Sequence, residues 1–597
     1  MPFGATCELD GETRFRLWAP SAVRVDLMLD VGQGESATAM ACVGGGWHEA
    51  PAKARAGARY RFRLPDGLVV PDPASRFNPQ DVHAASEVID PSAFDWQDDG
   101  WKGRPWNEAV VYELHVGTFT PQGTYAAAEG KLDYLVALGI TAVELMPLAD
   151  FPGRRGWGYD GVLHYAPEAG YGRPDELKSF IQAAHQRGLM VLLDVVYNHF
   201  GPDGNYLYAY AAGFFTDRHH TPWGKAINYD GEGSHVVRDF FIHNALYWLE
   251  EFHFDGLRLD AVHAIVDDSK PDVLQAMAQA VREGPARDRH VHLVLENDLN
   301  AARRLTRKAA GAADQYTAQW NDDFHHAAHA LLTGERDGYY ADYPADSAQL
   351  LGRCLGEGFA FQGDASPFRD GEARGEASTG LLPGAMVNFL QNHDQIGNRA
   401  FGERLASLSE AGALRVMTAV LLLAPQAPLL FMGDEFAAAT PFLFFCDFSG
   451  DLAEATREGR RKEFSRFERF ADPAVRDRIP DPLDPATYER SKLDWSCLPE
   501  QPHAEWLELH RRLLGLRRDV IAPLIPQIQN DSKQWRLLGQ RGLRVEWPLT
   551  SGGSLLLLAS LGEKGGIHEA PHAGRLIYEA AAGKDRDWSV AWLVTVS

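Results

Sequence analysis

The chain has 597 residues, 45% of them apolar and 23% charged, with a formal net charge of −24. That length is too great for one hydrophobic core and predicts three or four domains, while the acidic balance argues against nucleic acid or an anionic membrane as partner. The five cysteines, Cys7, Cys42, Cys354, Cys446 and Cys497, fall in no CxxC or CxxH pattern, which predicts free thiols in a reducing compartment.

Met1–Thr6 carries neither a basic run nor an apolar one, and no stretch of about 18 apolar residues follows, so neither a signal peptide nor a membrane span is expected and the cytoplasm is the default. Thr13–Pro20, Val23–Leu29 and Tyr60–Leu64 alternate apolar with polar residues. Short strands at this spacing predict an N-terminal β-sandwich, immunoglobulin-like, over residues 1–105. Asp72 to Pro91 is rich in turn residues and reads as an extended linker.

From Trp106 the pattern becomes strand then helix, repeated. Predicted strands are Ala109–Val116, Thr141–Met146, Met190–Tyr197, Gly256–Asp260, His292–Glu296, Tyr316–Trp320, Met386–Leu390 and Pro428–Met432. Predicted helices include Lys131–Leu138, closed by Gly139, together with Pro174–Gly188 and Val236–Phe252. Eight such units are the sequence picture of an α/β fold, a (β/α)8 barrel, over 106–525. Phe200–Gly233, rich in Gly, Tyr and His, reads as an inserted subdomain. Asp451–Phe470 reads as a peripheral charged helix and Ala504–Arg518 as the last barrel helix. Leu543–Trp547, Ser554–Ala559 and Trp592–Val596 predict a small C-terminal β domain over 526–597.

The densest chemistry is at Gly256–His263. Leu257 and Leu259 alternate with Arg258 and Asp260, so the guanidinium and the carboxylate share one face, ~7 Å apart along the backbone. A cation that close lowers a carboxylate's pKa and keeps it ionised, as attack on a sugar carbon requires; alone, the octapeptide reads equally well as an ordinary ion pair. Other strand ends carry the same signature: Asp194 to His199, Glu296 with Asn297 and Asp298, and Asn392 to Asp394. A single such end is a helix cap or a turn. Four at the C-terminal ends of barrel strands fall where a barrel places its active site.

Together these motifs, Asp194–His199, Gly256–His263, Leu293–Glu296 and Asn392–Asp394, with the N-terminal Leu17-Trp18-Ala19-Pro20, resemble the α-amylase family of glycoside hydrolases, family 13, over nearly the whole chain. The resemblance implies Asp260 as nucleophile, Glu296 as general acid and then base, and Asp394 as the group that grips ring hydroxyls in the transition state. It implies that Arg258 keeps Asp260 charged, that Asp194 orients Arg258, and that His199 and His393 bond sugar hydroxyls. In Trp157-Gly158-Tyr159-Asp160-Gly161, Tyr159 matches the family's stacking platform, while Trp157 reads as a turn plug.

Further stretches resemble the branch of that family that acts on maltooligosyltrehalose: Thr221–Gly224, Asp260–Ala264, Gln319–His326, His393–Asn398 and Pro441–Phe445. His263 stands where many α-amylases have Lys. The resemblance implies hydrolysis, with retention, of the α-1,4 bond beside a terminal trehalose. His263, Gln319, Trp320, Asp322, Asp323, Gln395 and Asn398 would line the substrate groove, and Trp223 reads either as a contact on the trehalose side or as a lid plug. The expected partner is maltooligosyltrehalose or an α-1,4-glucan oligosaccharide, with no cofactor, no metal and a monomer as default. Two other readings stand beside it: a branching or debranching enzyme acting on α-1,6 linkages, and an inactive glucan-binding protein.

Overall fold

Eight short parallel strands close on themselves: β1 (Val111–Leu114), β2 (Ala142–Leu145), β3 (Met190–Val195), β4 (Gly256–Leu259), β5 (His292–Leu295), β6 (Ala318–Trp320), β7 (Met386–Phe389) and β8 (Ala427–Phe431). This is a computed structural model, and it describes residues 1–8, 11–308, 313–464, 472–563, 574–583 and 586–595. Every residue of these strands is buried, because helices cover the outside and side chains fill the inside. The inward layer is apolar, including Val111, Met190, Leu192, Val294, Val387 and Leu429. The barrel is therefore a packed core, with its polar residues gathered at the strand ends.

The helices lie close to where the sequence places them, the long one running Ser234–Glu251 rather than Val236–Phe252. Leu132–Leu138 stops at Gly139, whose φ of 105° is open to glycine at little cost. Pro174–Gln186 starts with proline at its first position, where no donor is lost. Residues 200–233 hold a short helix, Leu207–Tyr210, and a hairpin of Phe215–Thr221 with Gly224–Ile227 whose turn carries Trp223. The charged helix runs from Gly450 to Phe464; the rest of that predicted segment, 465–470, lies outside the described residues, as does Val596.

Before the barrel, one sheet contains Thr13–Trp18 and Trp47–Ala52, and a second contains Asp26–Asp30 and Arg59–Arg63. The stretch after Asp72 is not a loose linker. Asp72, Ser75, Asn78, Val82 and Ser86 are buried, Glu87 pairs with Arg59 and Arg173, and Asp81 accepts the Gly153 N–H at 3.1 Å. It is cement between sandwich and barrel. Trp18 packs on Phe214 with centroids 5.5 Å apart, and Ser21 N–H donates to the Tyr210 carbonyl at 3.1 Å, so the sandwich also braces the 200–233 insertion.

After the last barrel helix (His503–Leu516) comes a five-stranded antiparallel sheet. The sequence marks three of its strands. The two it misses, Gln534–Leu538 and Gly574–Ala582, are the sheet's edges, more exposed than its inner strands. Among the described residues, no helix is long and apolar enough to cross a membrane.

Candidate active site

Asp194 on β3 and Arg258 on β4 are direct register partners. Arg258 Nη1 donates to Asp194 Oδ2 at 2.6 Å and to Asp260 Oδ1 at 2.9 Å, and Nη2 donates to Glu296 Oε2 at 2.8 Å. The guanidinium is fully buried and lies 4.0 Å from the ring centroid of Trp320. Such burial is tolerable only with anions close by, and three carboxylates supply them.

Asp260 follows the last residue of β4, where the chain turns sharply. Ala261 has φ of 39°, a conformation unfavourable to a residue with a Cβ. It is held by its own N–H, which donates to Glu296 Oε2 at 2.8 Å. Asn198 Nδ2 donates to the carbonyl oxygen and to Oδ2 of Asp260, both at 2.8 Å. Asp260 is thus bonded at both carboxylate oxygens, whereas Glu296 takes both of these contacts on Oε2.

Burial raises the pKa of Asp260 above the usual carboxylate range; Arg258 and the Asn198 bond pull it down without cancelling the rise, and Asp194 and Asp394 push it further up. This corrects the expectation that Arg258 leaves Asp260 with a lowered pKa. Glu296 is also raised, by burial first, with Arg258 opposing and the charge of Asp260 adding to it.

Asp394 sits in the first turn of a short helix capped by Asn392, whose Oδ1 accepts its N–H at 2.9 Å. Gln395 returns its Oε1 to the Asn392 N–H at 3.0 Å, and Asn398 Nδ2 donates to Asp394 Oδ1 at 3.2 Å. Tyr159 is positioned by Gly158, where φ is 99° and a Cβ would collide with the Pro147 carbonyl. Its hydroxyl donates to Asp194 Oδ2 at 2.6 Å. His199 bonds Asn198 through Nδ1, and burial lowers its pKa to about 4, so the ring is neutral. His263 Nδ1 accepts the Asp298 N–H at 3.4 Å.

A cleft of about 600 Å³ opens over these groups. It is lined by Asp260, Glu296, Asp394, Tyr159, His199, His263, Asp322, Gln395 and Asn398. The other predicted residues stand behind it. Arg258 and Asp194 lie beneath the floor. His393 is buried against Glu113. Gln319 donates to the Asn297 carbonyl at 3.0 Å and steadies the loop after Glu296. Trp320 underlies Arg258. Asp323 takes Asn300 Nδ2 at 2.9 Å, Tyr343 OH at 2.6 Å and Arg374 Nη1 at 2.8 Å, a structural hub rather than a wall of the cleft.

Sequence reasoning missed one wall: Tyr339, Tyr343, Phe368, Arg369 and Arg374. Asp298 ties this wall to the strand of Glu296 by pairing with Arg369 and, through its carbonyl, Arg374 Nε at 2.9 Å. The usable signal was the interval from Trp320 to Met386, far longer than an ordinary βα connection. Away from the cleft, His219, Asp230 and Asp268 could together hold a metal ion, but Asp230 is already engaged by His219, Arg218 and the Asp268 N–H.

Two family models match: the alpha amylase catalytic domain over residues 98–223 and carbohydrate-binding module 48, the isoamylase N-terminal domain, over residues 2–73. The chain is 42% identical over 554 residues to a malto-oligosyltrehalose trehalohydrolase of Deinococcus radiodurans, covering 92% of this chain and 88% of the relative. It is 43% identical to one of Rhizobium sp. strain M-11, covering 87% of each. A crystal structure from Salmonella typhimurium, described as a candidate alpha amylase, superposes with a TM-score of 0.93 at 44% identity over 99% of both chains. A pullulanase from Anoxybacillus sp. LM18-11 shares the fold at a TM-score of 0.71 and 17% identity. With this likeness extending from the sandwich through the barrel, the chain belongs to the malto-oligosyltrehalose trehalohydrolases of the alpha-amylase family.

Proposed function

We propose that this protein hydrolyses the α-1,4-glucosidic bond next to the terminal trehalose unit of maltooligosyltrehalose and releases trehalose. The observation that carries the chemistry is the single guanidinium shared by Asp260 and Glu296. Two carboxyls bonded to one arginine suit the ~5 Å spacing of retaining glycosidases, which leaves no room for a water between them.

The roles divide by bonding. Asp260, bonded at both oxygens, is the better anion and attacks the anomeric carbon. Glu296 keeps the proton of the pair and has an oxygen for it, so it protonates the departing trehalosyl oxygen. With Asp260 then esterified, Glu296 as carboxylate takes a proton from the incoming water, whose oxygen bonds the anomeric carbon as the ester bond breaks and Asp260 leaves as carboxylate. Asp394 bonds ring hydroxyls more tightly as the ring flattens, which lowers the barrier rather than merely binding substrate. Tyr159 supplies the ring platform. We also place domain boundaries near 105/106 and 525/526, and read the five free cysteines as fitting a cytoplasmic setting.

The test is a product assay. Incubated with maltotriosyl trehalose, the protein is expected to release free trehalose, with maltopentaose cleaved far more slowly. Equal cleavage of both would leave retaining glucosidase chemistry and refute the trehalose specificity. Cleavage of neither would shift weight to α-1,6 chemistry, a reading to which the 37% identity to a glucan branching enzyme of Dechloromonas aromatica over 44% of the chain lends some weight.

A further inference from the structure

Glu113, at the end of β1, is 1% exposed and has no part in the chemistry above. Its backbone is fixed on both sides, in register with Glu144 on β2 and Phe431 on β8. Its carboxylate reaches past β8 to His393, just beyond the end of β7. Oε1 pairs with His393 Nδ1, and Oε2 accepts the His393 backbone N–H at 3.3 Å. The other ring nitrogen of His393, Nε2, stands 3.5 Å from Asp394 Oδ1. The imidazole therefore has a carboxylate at each nitrogen. Its face lies against Tyr159, centroids 5.0 Å apart, and Trp157 meets it edge-on.

We propose that Glu113 is a positioning residue that holds His393 as an imidazolium with its Nε2–H turned to Asp394, so that Asp394 meets the sugar ring as an oriented anion. The proposal rests on the role given to Asp394 above. A neutral imidazole can give a proton to only one of the two carboxylates; the charged form serves both. The surrounding charges favour it. Burial opposes the charged ring, but Glu113 and then Asp394 outweigh it, lifting the pKa to about 9. Of the other groups facing it, Arg258 opposes the charge. Glu144, whose pKa burial pushes far up, is neutral, and so is His115, whose pKa burial lowers to about 4. Asp194 adds a further carboxyl on β3.

The test uses the Glu296→Gln protein, in which the acid no longer titrates, and measures calorimetric affinity for maltotriosyl trehalose against pH. With Glu113 intact, affinity is expected to hold to about pH 9 and then fall. Adding Glu113→Gln is expected to move that fall down by about 2 pH units, weakening binding about tenfold near pH 8. Glu113→Asp, which keeps the anion, is expected to restore the original fall. Uniform weakening at every pH, or no change, would overturn the proposal, since packing alone does not shift a titration. If Glu113→Gln does not fold, His393→Gln serves: the alkaline fall should vanish, and its persistence overturns the proposal. Failure of the wild-type protein to release trehalose would refute the underlying reading separately.

Discussion

Trp223 lies flat on His199, ring centroids 4.7 Å apart and planes 15° from parallel. The Trp belongs to the tip of the 215–227 hairpin and the His to the end of the third barrel strand, so the stack is the hairpin's anchor at the cleft. Trp223 is nonetheless 49% exposed, leaving its outer face for substrate. Trp223→Ala is expected to leave thermal stability nearly unchanged and to cut kcat/KM on maltotriosyl trehalose by about threefold to tenfold, the worth of one aromatic stack. Steady-state kinetics with unaltered rates would refute its contact role.

Asp260→Ala and Glu296→Gln should each lower turnover by ~10⁴-fold or more. Neither should unfold the protein, because each removes one member of a crowded set of buried carboxyls. Circular dichroism melts alongside the trehalose assay separate loss of chemistry from loss of structure. Near-normal turnover in either variant would sink the assigned roles.

Arg258 behaves differently. Arg258→Met would leave Asp194, Asp260 and Glu296 buried together without their cation, at a cost of about 3–5 kcal/mol. Arg258→Lys keeps a charge but has one nitrogen in place of a fork. The expected outcome is a folded Lys variant with turnover down by ~10²-fold or more, and a Met variant with a clearly lower urea midpoint. Equal stability of the two would show that the guanidinium charge is not what the layer needs.

Asp150 and Glu168, both 1% exposed, form a second carboxyl pair at the neck of the loop that carries Tyr159. Burial raises Glu168 from 4.5 to about 7 and Asp150 well above its usual range; the charge of Glu168 pushes Asp150 further up, whereas the hydrogen bond from Asp150 pulls Glu168 down without cancelling its rise. A raised pKa means the folded state binds the proton more tightly. Its stabilising contribution is complete below about pH 4.5 and is lost as pH rises through about 7. Melting temperature is therefore expected to fall over that window, and Glu168→Gln should flatten the fall. An identical slope in the variant would be the contrary result.

The barrel strands were legible because both faces of each are buried, which leaves near-continuous apolar runs such as Met190–Leu193 and Leu293–Leu295. The edge strands of the C-terminal sheet were not, since an edge strand is exposed along much of its length and need not alternate, as Gly574–Ala582 does not. Within the site, alternation alone put Arg258 and Asp260 on one face. That Arg258 also holds Glu296 depends on the pairing of β4 with β5, a long-range fact no local pattern encodes. The roles of Gln319, Trp320 and Asp323 as supports were hidden for a related reason: burial is decided by neighbours, and these polar residues find theirs inside the protein. Tyr339 and Arg369 belong to no barrel strand, so no strand register announces them.

One guanidinium serving two carboxyls has a consequence for how this protein can change. Any substitution that tilts Arg258 moves the attacking group and the proton donor together. Formation and breakdown of the sugar ester should then slow in step, and the ester should not accumulate. Drift in this layer thus leads to a slower hydrolase whose two steps stay matched.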